Sequence, residues 1–223
     1  MMTSAPKAVL IYSGGMDSFT LLHQLRAQGY QVFPVSFHYG QRHAKELQVA
    51  AQVCQQLQLQ HQIIDLRAIQ PLINQSALTG DQDVPLADYA PDNLAITFVP
   101  NRNMILLSLA IGYAVNLGIE ACYYGAHSGD HALYPDCRPE FVERMDELAQ
   151  LANLQPVSLR APFLHLNKTE ILQQGLALGL DYSQSWTCYQ GQTLACGQCS
   201  ACRERLDAFA RCGHTDPLKY QTA

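Results

Sequence analysis

The run Lys7 to Tyr12 (KAVLIY), followed at once by Ser13, Gly14, Gly15, Met16, Asp17 and Ser18, constrains the fold more than any other feature of this chain. Six mostly apolar residues without alternation, stopped by serine and glycines, read as a strand buried on both faces. From Asp17 to Gln28 the apolar residues Phe19, Leu22 and Leu25 return at helical spacing, and Gly29 ends the run. A buried strand that passes directly into a helix is the first half of a βαβ unit, which requires a parallel sheet covered by helices.

The alternation continues. Gln31 to Phe37 is strand-like, Ala44 to Leu57 is helix-like with Leu47, Ala51 and Cys54 on one face, and His61 to Asp65 is a third strand. Between Asn74 and Asn101 the periodicity fails, with Gly80, Pro85, Pro91 and Pro100 punctuating a polar stretch. Long stretches without periodicity inside a compact domain are commonly functional, so this one is a candidate substrate-covering loop. Helical pattern resumes at Met104 to Leu117, strand pattern at Ala121 to Tyr124, helix at Pro139 to Leu151 and a short strand at Val157 to Leu159. Asn167, three residues before Glu170, forms a capping-box pattern for a helix ending near Gly179. The expected fold class is α/β, a Rossmann-like parallel sheet of about five strands flanked by helices. Residues 1–180 form the main domain, and 181–223 form a smaller metal-binding segment packed on it.

At 223 residues and 48% hydrophobic composition the chain can bury a full core. Its apolar runs fall far short of the roughly 20 residues of a membrane-spanning helix, and its start lacks the apolar stretch of a secretory signal. A cytoplasmic protein is expected. The net charge of −5, without a lysine or arginine run, argues for small-molecule partners over nucleic acid.

The glycine turn suggests what those partners are. Two glycines permit a sharp turn and close approach of backbone to ligand, and the helix start offers N–H groups at the positive end of its dipole. Phosphate suits such a place. Ser13 and Ser18 add hydroxyls, while Asp17 fits if a magnesium ion lies between it and the phosphates. The plainer reading is an ordinary strand-to-helix turn in which Asp17 or Ser18 caps the helix. The spacing of the common P-loop, with its lysine, is absent.

Four of the eight cysteines, Cys188, Cys196, Cys199 and Cys202, fall within CYQGQTLACGQCSAC. Overlapping C-x-x-C steps let thiolates converge on one ion at about 2.3 Å, and four of them close a tetrahedral shell with no open position. Structural zinc, one per chain, is the expectation. A redox dithiol needs only two cysteines after a thioredoxin-like strand, and spacing alone leaves iron open. Cys54 and Cys122 lie in apolar patterns and read as small core residues.

SGGMDS after a hydrophobic strand resembles the SGGxDS loop of the ATP pyrophosphatase superfamily, whose members cleave ATP between the α and β phosphates and adenylate a substrate oxygen. Taken with the cysteine cluster and the stretches FHYGQRH (Phe37 to His43), TFVPNRN (Thr97 to Asn103), GAHSGDHALYPDCRPEF (Gly125 to Phe141) and SWTCY (Ser185 to Tyr189), the chain resembles the 7-cyano-7-deazaguanine synthase family nearly end to end. It departs from the family pattern at Tyr12, Met16 and His38, the last in place of a common aspartate, so no carboxylate role carries over there.

The resemblance implies an ATP-dependent carbon–nitrogen ligase of queuosine biosynthesis that converts 7-carboxy-7-deazaguanine and ammonia to the nitrile, working as a homodimer. It implies ATP binding, with Mg²⁺, by the stretch Tyr12, Ser13, Gly14, Gly15, Met16, Asp17, Ser18, Phe19 and Thr20, with adenine over Val35 to Phe37. Asp17 and Arg102 are the catalytic candidates. Arg102 and Arg138 suit phosphate or carboxylate because guanidinium binds both through paired hydrogen bonds, with surface ion pairing as the alternative. Asp130, Asp136 and Arg138 are the substrate-binding candidates; the two aspartates would accept from the ring N–H and amino groups, or else cap a turn. Lys168 either reaches a phosphate or points to solvent. His23, His43, His127, His131 and His165 show no ligand spacing, and none is assigned a catalytic role. Two readings stand beside this one: another adenylating enzyme of the same superfamily, and a zinc-stabilised nucleotide-binding regulator without turnover.

Overall fold

The computed structural model describes residues 5–41, 45–79, 96–131, 134–190 and 193–221. The expected alternation is present as β1 (Lys7–Ile11), α1 (Met16–Ala27), β2 (Gln31–His38), α2 (Lys45–Gln56), β3 (Gln62–Asp65), α3 (Arg102–Asn116), β4 (Ala121–Tyr123), α4 (Pro139–Leu151), β5 (Ser158–Arg160) and α5 (Lys168–Ala177). A further helix, α6 (Ser200–Arg211), was not foreseen from the sequence. The five strands form one sheet in the order β3-β2-β1-β4-β5, and every pairing is parallel.

Strand pleating sends alternate residues of β1 to opposite faces. Ala8, Leu10 and Tyr12 join one core with Phe19, Leu22 and Leu25 of α1, Ala50 and Val53 of α2, Ile171 of α5 and Phe209 of α6. Val9 joins a second core with Leu107 and Ala110 of α3 and Val142 and Met145 of α4. The reason for the two layers is topological. A parallel crossover is almost always right-handed, so a chain that adds strands first to one side of β1 and then to the other must switch its helices between faces. That switch falls between β1 and β4.

Two local expectations are met. Asn167 and Glu170 form the reciprocal capping box of α5. Cys54 and Cys122 are buried core residues. No helix among the described residues is long and apolar enough to cross a membrane. Of the proposed covering loop, Gly80, Pro85 and Pro91 lie outside the described residues, as does His43. The loop's flanks are packed: Ile73, Ala77, Leu78 and Val99 form a small buried cluster, and Ala77 N–H donates to the Ile96 carbonyl at 2.6 Å.

The C-terminal segment returns to the main core. Arg205 of α6, 1% exposed, binds Asp216 through two bonds of 2.7 and 2.9 Å, and it donates to Ser185 Oγ and the Tyr182 carbonyl at 2.8 Å each. These bonds satisfy a charge that would be costly to bury alone. Replacing Asp216 with alanine should lower the unfolding free energy by about 3–5 kcal/mol, because the guanidinium stays buried without its counter-charge. The double variant Arg205→Met, Asp216→Leu should lose far less in the same urea titration.

Candidate active site

The nucleotide-loop residues are positioned by backbone before side chains enter. Gly14 has φ +86°, and a Cβ there would collide with the Glu46 carbonyl and Ala50 of α2. Glycine at this position therefore serves the close approach of α2 to the loop. Gly15 is the N-cap of α1, and no side chain caps that end. The expectation that Asp17 or Ser18 caps the helix is thus not met. Ser18 Oγ instead donates to the Gly15 carbonyl and accepts from Ser13 N–H at 3.2 Å, while Ser13 Oγ accepts from Gly15 N–H at 3.1 Å. The two hydroxyls knit the turn, leaving the α1 N-terminus facing a cleft.

That cleft, of about 270 Å³, lies outside the carboxyl ends of β1, β2 and β4 at the topological switch point, the usual ligand position in such sheets. Tyr12, Ser13, Gly15, Met16, Asp17 and Ser18 line it, together with Arg102 and Asp130. Phe37, at the end of β2 where the adenine is expected, lines it too. Gly14, Phe19 and Thr20 do not line it. Phe19 packs on His23 and Tyr182, and Thr20 Oγ1 bonds the Met16 carbonyl and Tyr182 hydroxyl, because their helical positions turn them away from the cleft and toward Tyr182.

Two further candidates lie elsewhere. Asp136 is buried, accepts from the Asn103 backbone N–H at 2.9 Å and so closes the first turn of α3, a capping role performed across the fold instead of on its own turn. Arg138 is exposed and donates to the His131 carbonyl at 2.9 Å, outside the cleft. Arg102 lies against the cleft with its guanidinium 5.9 Å from the Tyr134 ring centre. Burial opposes its charge, but Tyr39, Cys137 and Asp136 favour it more strongly, so it remains a cation.

Lys168 does not point to solvent. Its Nζ lies 2.6 Å from Asp17 Oδ2 and 3.5 Å from Glu204 Oε2. Burial raises the Asp17 carboxyl, yet the Lys168 ammonium overcomes this and holds it below its ordinary value. Burial likewise disfavours the Lys168 ammonium, and Asp17, Glu204 and Asp130 hold it charged. The spacing of His127 gives it no role, but it is 2% exposed and lines the cleft. Its Nδ1 accepts from Gly129 N–H at 3.1 Å, so the neutral ring carries its proton on Nε2. Nε2 lies 3.4 Å from Asp130 Oδ2 and 3.8 Å from Asp17 Oδ2. Burial and Lys168 lower the His127 pKa; burial raises that of Asp130. Glu46, at the start of α2, also lines the cleft, and burial pushes its carboxyl up to about 8.

The four cysteines converge as expected. Their sulfurs all lie within 4.8 Å of one another, and those of Cys196 and Cys202 are 4.0 Å apart. Tetrahedral Zn–S bonds of about 2.3 Å place sulfurs roughly 3.8 Å apart, so the set fits a metal ion with little contraction. Backbone N–H groups of Gln190 and Cys196 point at Cys188 Sγ, and those of Gln198 and Cys199 at Cys196 Sγ, a pattern that stabilises thiolate charge. No disulfide joins any of the eight cysteines.

The Asp17–Lys168 pair gives a pH dependence with a definite sign. The folded Asp17 pKa is below the ordinary 3.8, so its ionised form contributes stability that is complete above the unfolded value and lost as pH falls through the folded one. Removing the ammonium in Lys168→Met leaves burial uncompensated and moves the carboxyl upward. The parent should exceed the variant in stability at pH 7, with the gap shrinking steadily toward pH 3 in urea unfolding. A gap independent of pH would mean that Lys168 does not govern Asp17.

Residues 7–213 match the model of the family described as queuosine biosynthesis protein QueC. The chain is 61% identical over 218 residues to a 7-cyano-7-deazaguanine synthase of Chromohalobacter salexigens, covering 97% of this chain and 87% of that one. It is 60% identical over 216 residues to the enzyme of that name from Hahella chejuensis, covering 97% and 94%. In fold it is similar to a solved 4-thiouridine synthetase in complex with RNA and bound ATP, with TM-score 0.51, 20% identity, and coverage of 78% of this chain and 41% of that one. With a family model spanning nearly all of its length and relatives at this identity, the chain belongs to the QueC family of queuosine biosynthesis proteins.

Proposed function

We propose that the cleft converts 7-carboxy-7-deazaguanine, ammonia and ATP to 7-cyano-7-deazaguanine, the reaction named for its relatives. The observation that carries this reading is the coincidence of the SGGMDS turn, the α1 N-terminus and the Lys168–Asp17 charge pair in one cleft at the sheet's switch point. A carboxylate cannot lose oxide, so its oxygen first attacks the α-phosphorus of ATP and pyrophosphate leaves. Ammonia then displaces AMP and sheds a proton, giving the amide. The amide oxygen attacks a second ATP with loss of pyrophosphate, and departure of AMP together with both N–H protons leaves the nitrile. Each step needs placement and charge stabilisation more than covalent help from the protein.

Helix α1 and the loop from Tyr12 to Ser18 hold the triphosphate in this reading, with adenine toward Phe37. Lys168 and Arg102 balance phosphate charge. Asp17 Oδ1 is buried and has no hydrogen-bond partner among the described residues, which suits a carboxylate that faces a cation. Mg²⁺ there would neutralise charge on the leaving pyrophosphate. Asp130 remains the acceptor for the ring of the deazapurine, with His127 behind it. Zinc is the ion for the four cysteines, a closed shell that contributes folding free energy to the 181–223 segment. The enzyme is cytoplasmic, acts on small molecules without nucleic acid and pairs as a homodimer in the same reading, and residues 1–180 form its nucleotide-binding domain.

Incubation with ATP, ammonium and the deazaguanine acid, followed by mass spectrometry, should give the nitrile with twice as much AMP as nitrile. Amide as the final product, with equal AMP, would mean that the second activation does not occur here. Cys199→Ser should lower metal stoichiometry and thermal stability together, with activity falling only as the folded fraction falls. Full stability and metal content with activity lost would replace the structural ion with a reactive thiol.

A further inference from the structure

Glu204 belongs to none of the sequence motifs, yet it is built into the cleft wall. It lies on α6, the helix whose N-cap is Cys199, so the cysteine cluster fixes its starting point. Its carboxylate reaches two separate parts of the site. Oε2 is 3.5 Å from Lys168 Nζ at the head of α5, and Oε1 lies against Gly129, where an added Cβ would be 3.3 Å from it and 2.9 Å from the His127 ring. A glycine is needed there so that Glu204 and His127 can converge.

Lys168 is thus shared by two carboxylates at unequal distance: Asp17 holds it now, at 2.6 Å, and Glu204 stands behind. In the function proposed above, on which this inference rests, a divalent cation comes to the free Oδ1 of Asp17 when the nucleotide arrives. The Lys168 ammonium on Oδ2 must then share its nearest counter-charge with that cation while its side chain is only 10% exposed. An unpaired ammonium at that burial is costly, and without another acceptor it would compete with the cation for Asp17. We propose that Glu204 is a positioning residue that takes over the Lys168 ammonium, freeing Asp17 for the cation and keeping the lysine charge at the phosphate end of the cleft. No bond is made or broken in this step; one charge-assisted hydrogen bond is exchanged for another.

The test is calorimetric binding of ATP to the full chain across a Mg²⁺ titration. Parent, Glu204→Gln, Glu204→Asp, Lys168→Met and the double variant Glu204→Gln, Lys168→Met are compared, with metal content and thermal unfolding measured on each. Glu204→Gln should raise the Mg²⁺ concentration for half-maximal ATP binding by about tenfold, the size of one coupled ion pair. Glu204→Asp, which keeps the charge with a shorter reach, should fall between it and the parent. On the Lys168→Met background the glutamine substitution should add nothing. A Mg²⁺ midpoint unchanged in Glu204→Gln, or an equal rise with and without Lys168, would overturn the proposal. If Glu204→Gln fails to fold, the Glu204→Asp midpoint decides: an intermediate rise supports the exchange, and the parent's value overturns it. Failure of the parent itself to bind ATP with Mg²⁺ would instead remove the nucleotide reading of the cleft.

Discussion

The right-handedness of parallel crossovers shapes everything that follows in this molecule. Because α1 and α2 lie on one face of the sheet and α3 and α4 on the other, the segments leaving β1 and β4 diverge, and the space between them is the cleft. The SGGMDS turn stands at that divergence, where backbone N–H groups and the dipole of α1 point outward. Gly14 contributes indirectly: it lets α2 approach so closely that Glu46 enters the cleft wall.

The charges in the cleft form a network in which no pair is independent. Asp17, Asp130 and Glu204 surround the Lys168 ammonium and the neutral His127 ring, and burial works against every ionised member. Such an arrangement is tolerable because opposite charges are interleaved, and it holds the catalytic candidates in fixed orientations before any ligand enters.

The cysteine segment is joined to this network through its backbone. Trp186 N–H donates to the Gly14 carbonyl at 2.9 Å, and Thr187, Cys188 and Tyr189 continue along the cleft wall. Arg205 and Asp216 lock the same segment to the tail. A metal held by the four sulfurs would therefore brace one wall of the cleft.

The sequence by itself determined the elements and the chemistry of the two motifs. Unbroken apolar runs and helical spacing are local signals, which is why the strands, the turn after β1, the Asn167 capping box and the four-cysteine group could be read within a few residues of their bounds. Composition and spacing say nothing of what lies opposite in space. Lys168 and Asp17 are 151 positions apart, and only packing of α5 against α1 brings them to 2.6 Å. His127 has no ligand spacing and Glu204 lies in none of the quoted stretches, and both line the cleft because the end of β4 and the first turns of α6 meet there. Tertiary structure also set some candidates apart from the cleft lining: helix geometry buries Phe19 and Thr20, Asp136 bonds the first turn of α3, and Arg138 is at the surface. Residue type fixes what a side chain can do; the direction in which the backbone presents it fixes whether it does so here.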